Sequence, residues 1–496
     1  MASQAEWLKW VPQTRFMVDG FNFQNPACQH YFLTHCHSDH TTGLTRSFTS
    51  GHIFCSPVSA RLLVEEQGIA AARIRPMAVG RSYDVDGVRV TPIDANHCPG
   101  AVLFLFQVPR RPRATPAHGQ RACPPADAMQ AVLRAGGGGS VPPPLWQSTR
   151  GDDDGDAFFN VLHTGDFRWT RRMAAPPLLG LRVDVLMLDT TYAGPKHVFP
   201  GQEETVDSIV RLMREEEAAN PGETLFVVGS YHIGKERAYL GAARALGWRV
   251  YCSANKRRTL SRLDLGPDLD RILTEDPREA RIHVDWMGQI RAPLLKSRME
   301  AGGYKAVVGV RPTGWSFRPN AVGPSRSRSY NGRVVVYGVP YSEHSSWPEL
   351  RDCIATLKPL KIIPTVGART QADARRVVER FAGLPGVPEN KASLAAFGFT
   401  KVGAGGKTGE RPVARRAASP VRNVAGCAED GKGGGVDLTS IDVGEQVAIL
   451  AEIQRAARDD AGGGALRKRA RVEDGAGAGA SVGRGRAGIA AYFKRV

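Results

Sequence analysis

The eight cysteines contain no C-x-x-C pair, and no apolar stretch is long enough to cross a bilayer. Scattered cysteines argue against a disulfide framework and suit a reducing compartment. With neither a spanning stretch nor a secretory leader, a soluble chain without a membrane partner is expected. Acidic residues are outnumbered: 49 Asp and Glu stand against 66 Lys and Arg, for a net charge of +17. An anionic partner is therefore expected, nucleic acid first, with part of the charge carried by a basic tail. At 496 residues and 42% hydrophobic, the chain can bury one large core or two smaller ones.

What the sequence does have is Thr34-His35-Cys36-His37-Ser38-Asp39-His40, behind the aromatic and apolar run His30–Leu33. That run reads as a buried strand. Side chains alternate along an extended backbone, so His35 and His37 share a face and Cys36 turns away from it. Asp39 and His40 follow where the chain turns. Three imidazoles and a carboxylate within six residues suit Zn²⁺ or a similar ion. That spacing resembles the metallo-β-lactamase fold, and the resemblance implies one His and one Asp from distant strand ends: His97 in Asp94–Ala101, and Asp166 after the apolar strand that ends at His163. The glycine before Asp166 permits a close backbone approach.

The apolar strands and helical spacings give an α/β chain. Residues 1–192 carry the metal-competent stretches, with a disordered insertion at 109–158 marked by Arg-Arg-Pro-Arg, a glycine run and Gly-Asp-Asp-Asp-Gly-Asp. From 193 to 333 the texture becomes that of a small α/β module. Residues 334–400 return to the first texture and deliver Pro340–Ser346. Beyond 400 the composition is Gly/Ala/Arg-rich and reads as disordered, apart from helical spacing over Ile441–Ala457.

Together, Val18-Asp19-Gly20-Phe21, Leu33–Leu44, Leu188–Tyr192, Gly234-Lys235-Glu236, Arg311–Trp315 and Pro340–Ser346 resemble a family. It is the β-CASP nucleases of the metallo-β-lactamase superfamily, in the Apollo- and Artemis-like DNA cross-link repair group. The resemblance covers roughly residues 7–400 outside the insertion. It implies an αββα sandwich with an inserted α/β β-CASP domain roofing the metal site. It also implies that His35, His37, His97 and Asp166 hold one tight Zn²⁺. Asp39 and His40 would face a weaker second position for Zn, Mn or Mg, bridged by Asp166. Asp189 and His344 match the family's acidic and histidine motifs, and Val366 stands where RNA-processing relatives carry histidine. DNA is therefore the expected substrate.

A metal with an open position lowers the pKa of bound water toward neutrality, which suits attack on a phosphodiester. Asp39 is expected to orient that water and His344 to donate to phosphate or leaving oxygen, its tautomer fixed by Asp189 or Glu343. Asp19 ends a strand and can orient a ligand or cap a turn. Ser230, Tyr231, Lys235, Ser342, Ser345 and Ser346 lie on turns entering helices, where they could seat a 5′-terminal phosphate or simply cap. The expected activity is a metal-dependent 5′→3′ DNA exonuclease of interstrand cross-link repair, acting as a monomer on 5′-phosphorylated ends. The alternatives are a structure-specific endonuclease, an RNA-processing nuclease, or an inactive scaffold binding DNA and a clamp.

Two short motifs complete the reading. Arg467-Lys468-Arg469-Ala470-Arg471 is a basic cluster of the kind import receptors read, which places the chain in the nucleus. Ile489, Tyr492 and Phe493 stand at i, i+3 and i+4, so one helical turn puts all three on one face. They resemble the PCNA-interacting peptide, although Arg486 stands where that motif has Gln.

Overall fold

A computed structural model of the chain describes residues 6–110, 157–317 and 323–384, all within one compact unit. Residues 111–156, Ile441–Ala457, the basic cluster and Ile489, Tyr492 and Phe493 lie outside the described residues. Among the described residues, no helix is long and apolar enough to cross a membrane.

Two sheets face each other. The first has four short parallel strands in chain order: Phe16–Val18, His30–Phe32, His52–Cys55 and Ile74–Pro76. The second has six strands in the order Ile362–Pro364, Val185–Leu188, Phe158–His163, Val102–Pro109, Val88–Asp94, Tyr83–Val85. Strand alternation decides what lies between them. Phe16, Val18, Phe32 and Phe54 point inward and meet Phe104, Phe106, Val161 and Met187. The Phe32 ring lies 5.3 Å from that of Phe104 and 5.0 Å from that of Phe106. The intervening residues Met17, Tyr31 and Ile53 face the opposite way into the larger core. Pro109 and Phe158 are cross-strand partners, so the ends of the expected insertion belong to paired strands.

A third sheet of seven strands fills most of residues 224–339. Its order is Leu273–Thr274, Val250–Tyr251, Ile282–Trp286, Thr224–Ser230, Ala306–Pro312, Val334–Val339, Ser325–Ser329. All pairs are parallel except the final one. Val334–Val339 was expected to begin the return to the first region. It pairs instead with Ala306–Pro312 in this third sheet, so the module's sheet runs to 339. An apolar run fits either sheet equally well, since strands buried on both faces lack alternation. The chain then returns as Ile362–Pro364, which lies beside Val185–Leu188 in the second sheet. The module thus interrupts two neighbouring strands.

In parallel sheets, ligands gather beyond the carboxyl ends of the strands. Here those ends feed the loops 231–235, 313–316 and 340–346, and two of these loops touch the histidine cluster described below. Arg168, only 2% exposed, ties the returning chain down. It donates to the carbonyls of Ser342 at 2.9 Å and Pro200 at 2.7 Å and pairs with Glu349 at 3.1 Å. Arg168→Leu should therefore cost about 2–4 kcal/mol in chemical denaturation, since it removes a buried guanidinium's bonds to two carbonyls and a carboxylate.

Candidate metal centre

The chain leaves His30–Phe32 and turns at once, and the alternation expected from sequence persists through the turn. His35 Nε2 lies 2.9 Å from His37 Nδ1. Cys36 faces away, its thiol 3.7 Å from the Ser59 carbonyl. His97 arrives on the loop between Val88–Asp94 and Val102–Pro109, with Nε2 3.2 Å from His37 Nδ1. Asp166 arrives after Phe158–His163, its Oδ2 3.8 Å from His35 Nε2 and 4.0 Å from His97 Nε2. Gly165 makes this approach possible. Its φ is +53°, and a Cβ there would stand 2.7 Å from Thr34 Cβ.

The outer hydrogen bonds fix which nitrogen of each ring is bare. The Thr34 hydroxyl donates to Asp19 Oδ2 at 2.7 Å, so it can only accept from His35 Nδ1, 2.9 Å away. His37 Nε2 donates to the Ile233 carbonyl at 3.2 Å, and His97 Nδ1 to the Glu343 carbonyl at 2.7 Å. The remaining nitrogens, His35 Nε2, His37 Nδ1 and His97 Nε2, carry lone pairs with no proton between them. Bare lone pairs at 2.9–3.2 Å repel unless a cation lies among them. Nitrogen ligands 2.0–2.1 Å from a tetrahedral zinc ion stand about 3.3 Å apart, so the cluster fits a zinc-sized ion.

The electrostatics agree. Burial lowers the affinity of His35 and His37 for protons, and that of His97 to a pKa of about 3, so all three are neutral ligands at pH 7. Burial would raise the Asp166 pKa, but His40 and His344 outweigh it and hold the carboxyl ionised. His40 is the opposite case. Burial would lower its pKa, yet Asp166, Asp39 and Asp19 together raise it well above the usual range. Its Nδ1 faces Asp19 Oδ2 at 2.7 Å, and its Nε2 faces Asp166 Oδ2 at 3.1 Å and Asp39 Oδ2 at 3.4 Å. Asp39 and Asp166 thus both lie beside His40 Nε2. Asp19 stands behind them: it fixes His40 and accepts from the Thr34 N–H at 2.8 Å.

Asp189, 1% exposed, takes His344 Nδ1 at 2.8 Å. Of the two partners considered for His344, Asp189 therefore holds the ring. That directs His344 Nε2 toward the cluster, where His97, Asp166 and His344 bring ligand atoms within 4.8 Å of one another. Glu343 has a different task. Its carbonyl holds His97, and its carboxylate accepts from the Lys235 N–H at 2.7 Å and pairs with Lys235 Nζ at 3.2 Å. Burial would raise the Glu343 pKa, but Lys235 brings it to about 2. Gly234, with φ +97°, lets this loop reach His37: a Cβ there would lie 3.3 Å from His37 Nε2.

The serines expected to seat a phosphate turn inward instead. Ser230 donates to the Gly234 carbonyl, Ser342 to the His344 carbonyl and Ser345 to the Phe167 carbonyl. Ser346 forms a capping box with Glu349 on the helix Trp347–Leu357. All four are at most 3% exposed, and their hydroxyls build the turns that carry Lys235 and His344. Tyr231 is half-buried, its ring 5.5 Å from Lys235 Nζ. Val366 offers no ligand, and its carbonyl accepts from Thr190. His283 donates to the Pro277 carbonyl within the third sheet. Sequence gives no hint of Thr34, Ile233 or Lys235–Glu343 as outer partners. It also gives none of Cys98, which stands with His35, His37 and His97 inside one 4.8 Å cluster.

Residues 267–370 match the family described as DNA repair metallo-beta-lactamase. Over 368 residues the chain is 35% identical to the DNA cross-link repair protein SNM1 of Arabidopsis thaliana, covering 72% of this chain and 65% of that protein. It is 34% identical to the DNA cross-link repair 1A protein of Mus musculus, covering 72% and 30%. It is 30% identical to the 5′ exonuclease Apollo of Danio rerio, covering 72% and 52%. The chain thus spans between 30% and 65% of the length of these relatives.

If the lone pairs hold an ion, binding should stabilise the fold. Zn²⁺ at a hundredfold excess over its Kd should add about 2.7 kcal/mol, seen as a rise in Tm that a chelator reverses. His37→Ala should abolish the zinc-dependent rise and leave the metal-free protein within about 1 kcal/mol of the parent. Differential scanning calorimetry with and without chelator reads both.

Proposed function

From its similarity to the DNA repair metallo-β-lactamase proteins, we propose that the chain is a metal-dependent 5′→3′ DNA exonuclease acting in interstrand cross-link repair. The observation that carries this reading is the convergence of three bare imidazole nitrogens and the Asp166 carboxylate beside the Asp189–His344 pair. His35, His37, His97 and Asp166 would hold one Zn²⁺. Asp39, His40 and Asp166 would hold a weaker second ion once His40 gives up its Nε2 proton. The ion supplies the acidity that makes water a nucleophile at neutral pH and spreads charge on the reacting phosphate. The names of the relatives, which refer to DNA cross-link repair and 5′ exonuclease action, support DNA as substrate.

The protein's own groups do the rest. Asp39, beside His40, accepts a hydrogen bond from the attacking water and turns it toward phosphorus. His344 Nε2 donates to the phosphate or the departing oxygen. Asp189 keeps the proton of Nδ1 in place and stabilises the imidazolium. Asp19 positions His40 from behind. Tyr231, on the loop that touches His37, favours a 5′-terminal phosphate, and Lys235, paired with Glu343, positions that loop. Burial of His35, His97 and Asp189 keeps bulk water from competing for their hydrogen bonds.

The test uses purified protein with end-labelled DNA and RNA strands, each with a 5′ phosphate or a 5′ hydroxyl. A ladder from the 5′ end of phosphorylated DNA is expected. Asp166→Asn should lower cleavage at least about a thousandfold, and Asp189→Asn about 10²–10⁴-fold through the His344 proton. Full activity of Asp166→Asn protein would sink the assignment, and equal rates on both 5′ ends would remove the phosphate preference.

In the nucleus, to which Arg467–Arg471 directs the chain, Ile489, Tyr492 and Phe493 dock on PCNA and raise the local concentration of nuclease at stalled forks. The support is the i, i+3, i+4 spacing of three apolar anchors, two of them aromatic. Calorimetry of a 482–496 peptide against PCNA should detect binding that Tyr492→Ala/Phe493→Ala abolishes. Identical heats from both peptides would show that the tail does not dock there.

A further inference from the structure

One metal-competent atom at the centre is not used by the proposed reaction. Cys98 follows His97 directly, is 7% exposed and is a free thiol. Its sulfur and one nitrogen from each of His35, His37 and His97 all lie within 4.8 Å of one another. Asp166 joins the cluster from elsewhere, grouping with His35 and His40 or with His97 and His344. The three histidines therefore have a hard oxygen neighbour and a soft sulfur neighbour. Cys36, between His35 and His37 in the chain, is no rival, because its thiol is directed to the Ser59 carbonyl.

Three imidazoles and one thiolate make a complete tetrahedral set. Thiolate ligands select soft ions, whereas carboxylate and water suit hard ones. Nitrogen–sulfur edges of such a tetrahedron run about 3.5 Å, so each sulfur–nitrogen distance needs to shorten by no more than about 1.3 Å. A site with four protein ligands has the closed character of structural zinc sites, while hydrolysis needs an open position.

We propose that the centre has a second, closed mode in which a thiophilic ion such as Cd²⁺ is held by His35, His37, His97 and Cys98, and nuclease activity is off. The inference rests on the metal reading above. On binding, the sulfur–hydrogen bond breaks and the proton passes to solvent. The sulfur lends an electron pair to the ion, and nothing is oxidised or reduced. The same three nitrogens serve both modes, so the two ions exclude each other.

The test strips the full-length protein of metal and titrates it with Cd²⁺ while recording ultraviolet absorption. One bound equivalent should produce a sulfur-to-cadmium charge-transfer band. Cys98→Ser should lose that band and keep bound cadmium on nitrogen and oxygen only. Cys36→Ser should behave like the parent. In zinc-loaded protein, Cys98→Ser should raise the cadmium concentration for half-inhibition at least about tenfold, the smallest loss usual even for an outer-sphere partner. Calorimetric Tm checks that the variant is folded, with Cys98→Ala as the second substitution. A bound equivalent without the band, or a band that survives in both Cys98 variants, overturns the closed mode and leaves the metal centre standing. A protein that binds neither zinc nor cadmium overturns both.

Discussion

Three unprotonated imidazole nitrogens point at one another in a buried space, and this arrangement is unfavourable until a cation enters it. Each lone pair exists because the other nitrogen of its ring already donates a hydrogen bond, to Thr34, to Ile233 or to Glu343. The centre is therefore made as much by these three acceptors as by the ligands. Outer partners of this kind are commonly worth 10–100-fold in metal affinity.

That dependence explains the architecture. Thr34 belongs to the strand-end loop that carries His35 and His37, but Ile233 and Glu343 come from loops at the carboxyl edge of the third sheet. The two-sheet region supplies ligands; the inserted module supplies two of the three acceptors that prepare them. Arg168 and the pairing of Ile362–Pro364 with Val185–Leu188 hold the returning chain where Glu343 and His344 must lie. A separation of the module from the sandwich would release His37 and His97 to rotate, and metal affinity would fall with it.

Much of the site was legible because its chemistry is local. The spacing of His35 and His37 is read directly through the two-residue period of an extended chain, whereas His97 and Asp166, weak signals alone, stand out only through the resemblance to the metallo-β-lactamase fold. What was illegible depends on contacts far along the chain. Ile233 is 196 residues from His37, and Glu343 is 246 from His97. No pattern marks a carbonyl as an acceptor. The serines near 230 and 342–346 show another limit. A hydroxyl that binds phosphate and one that caps its own turn have the same sequence signature, and here the turns claimed them. The end of the third sheet at 339 was hidden because a strand buried on both faces reads alike in any parallel sheet.

The central claim concerns atoms, so its most direct test is the position of the ion. A zinc-soaked crystal measured at the zinc absorption edge should show an anomalous peak bonded to His35 Nε2, His37 Nδ1 and His97 Nε2, with the opposite nitrogens still on Thr34, Ile233 and Glu343. A peak on any other nitrogen of these rings, or zinc bound only at His40 and the surrounding carboxylates, would contradict the account.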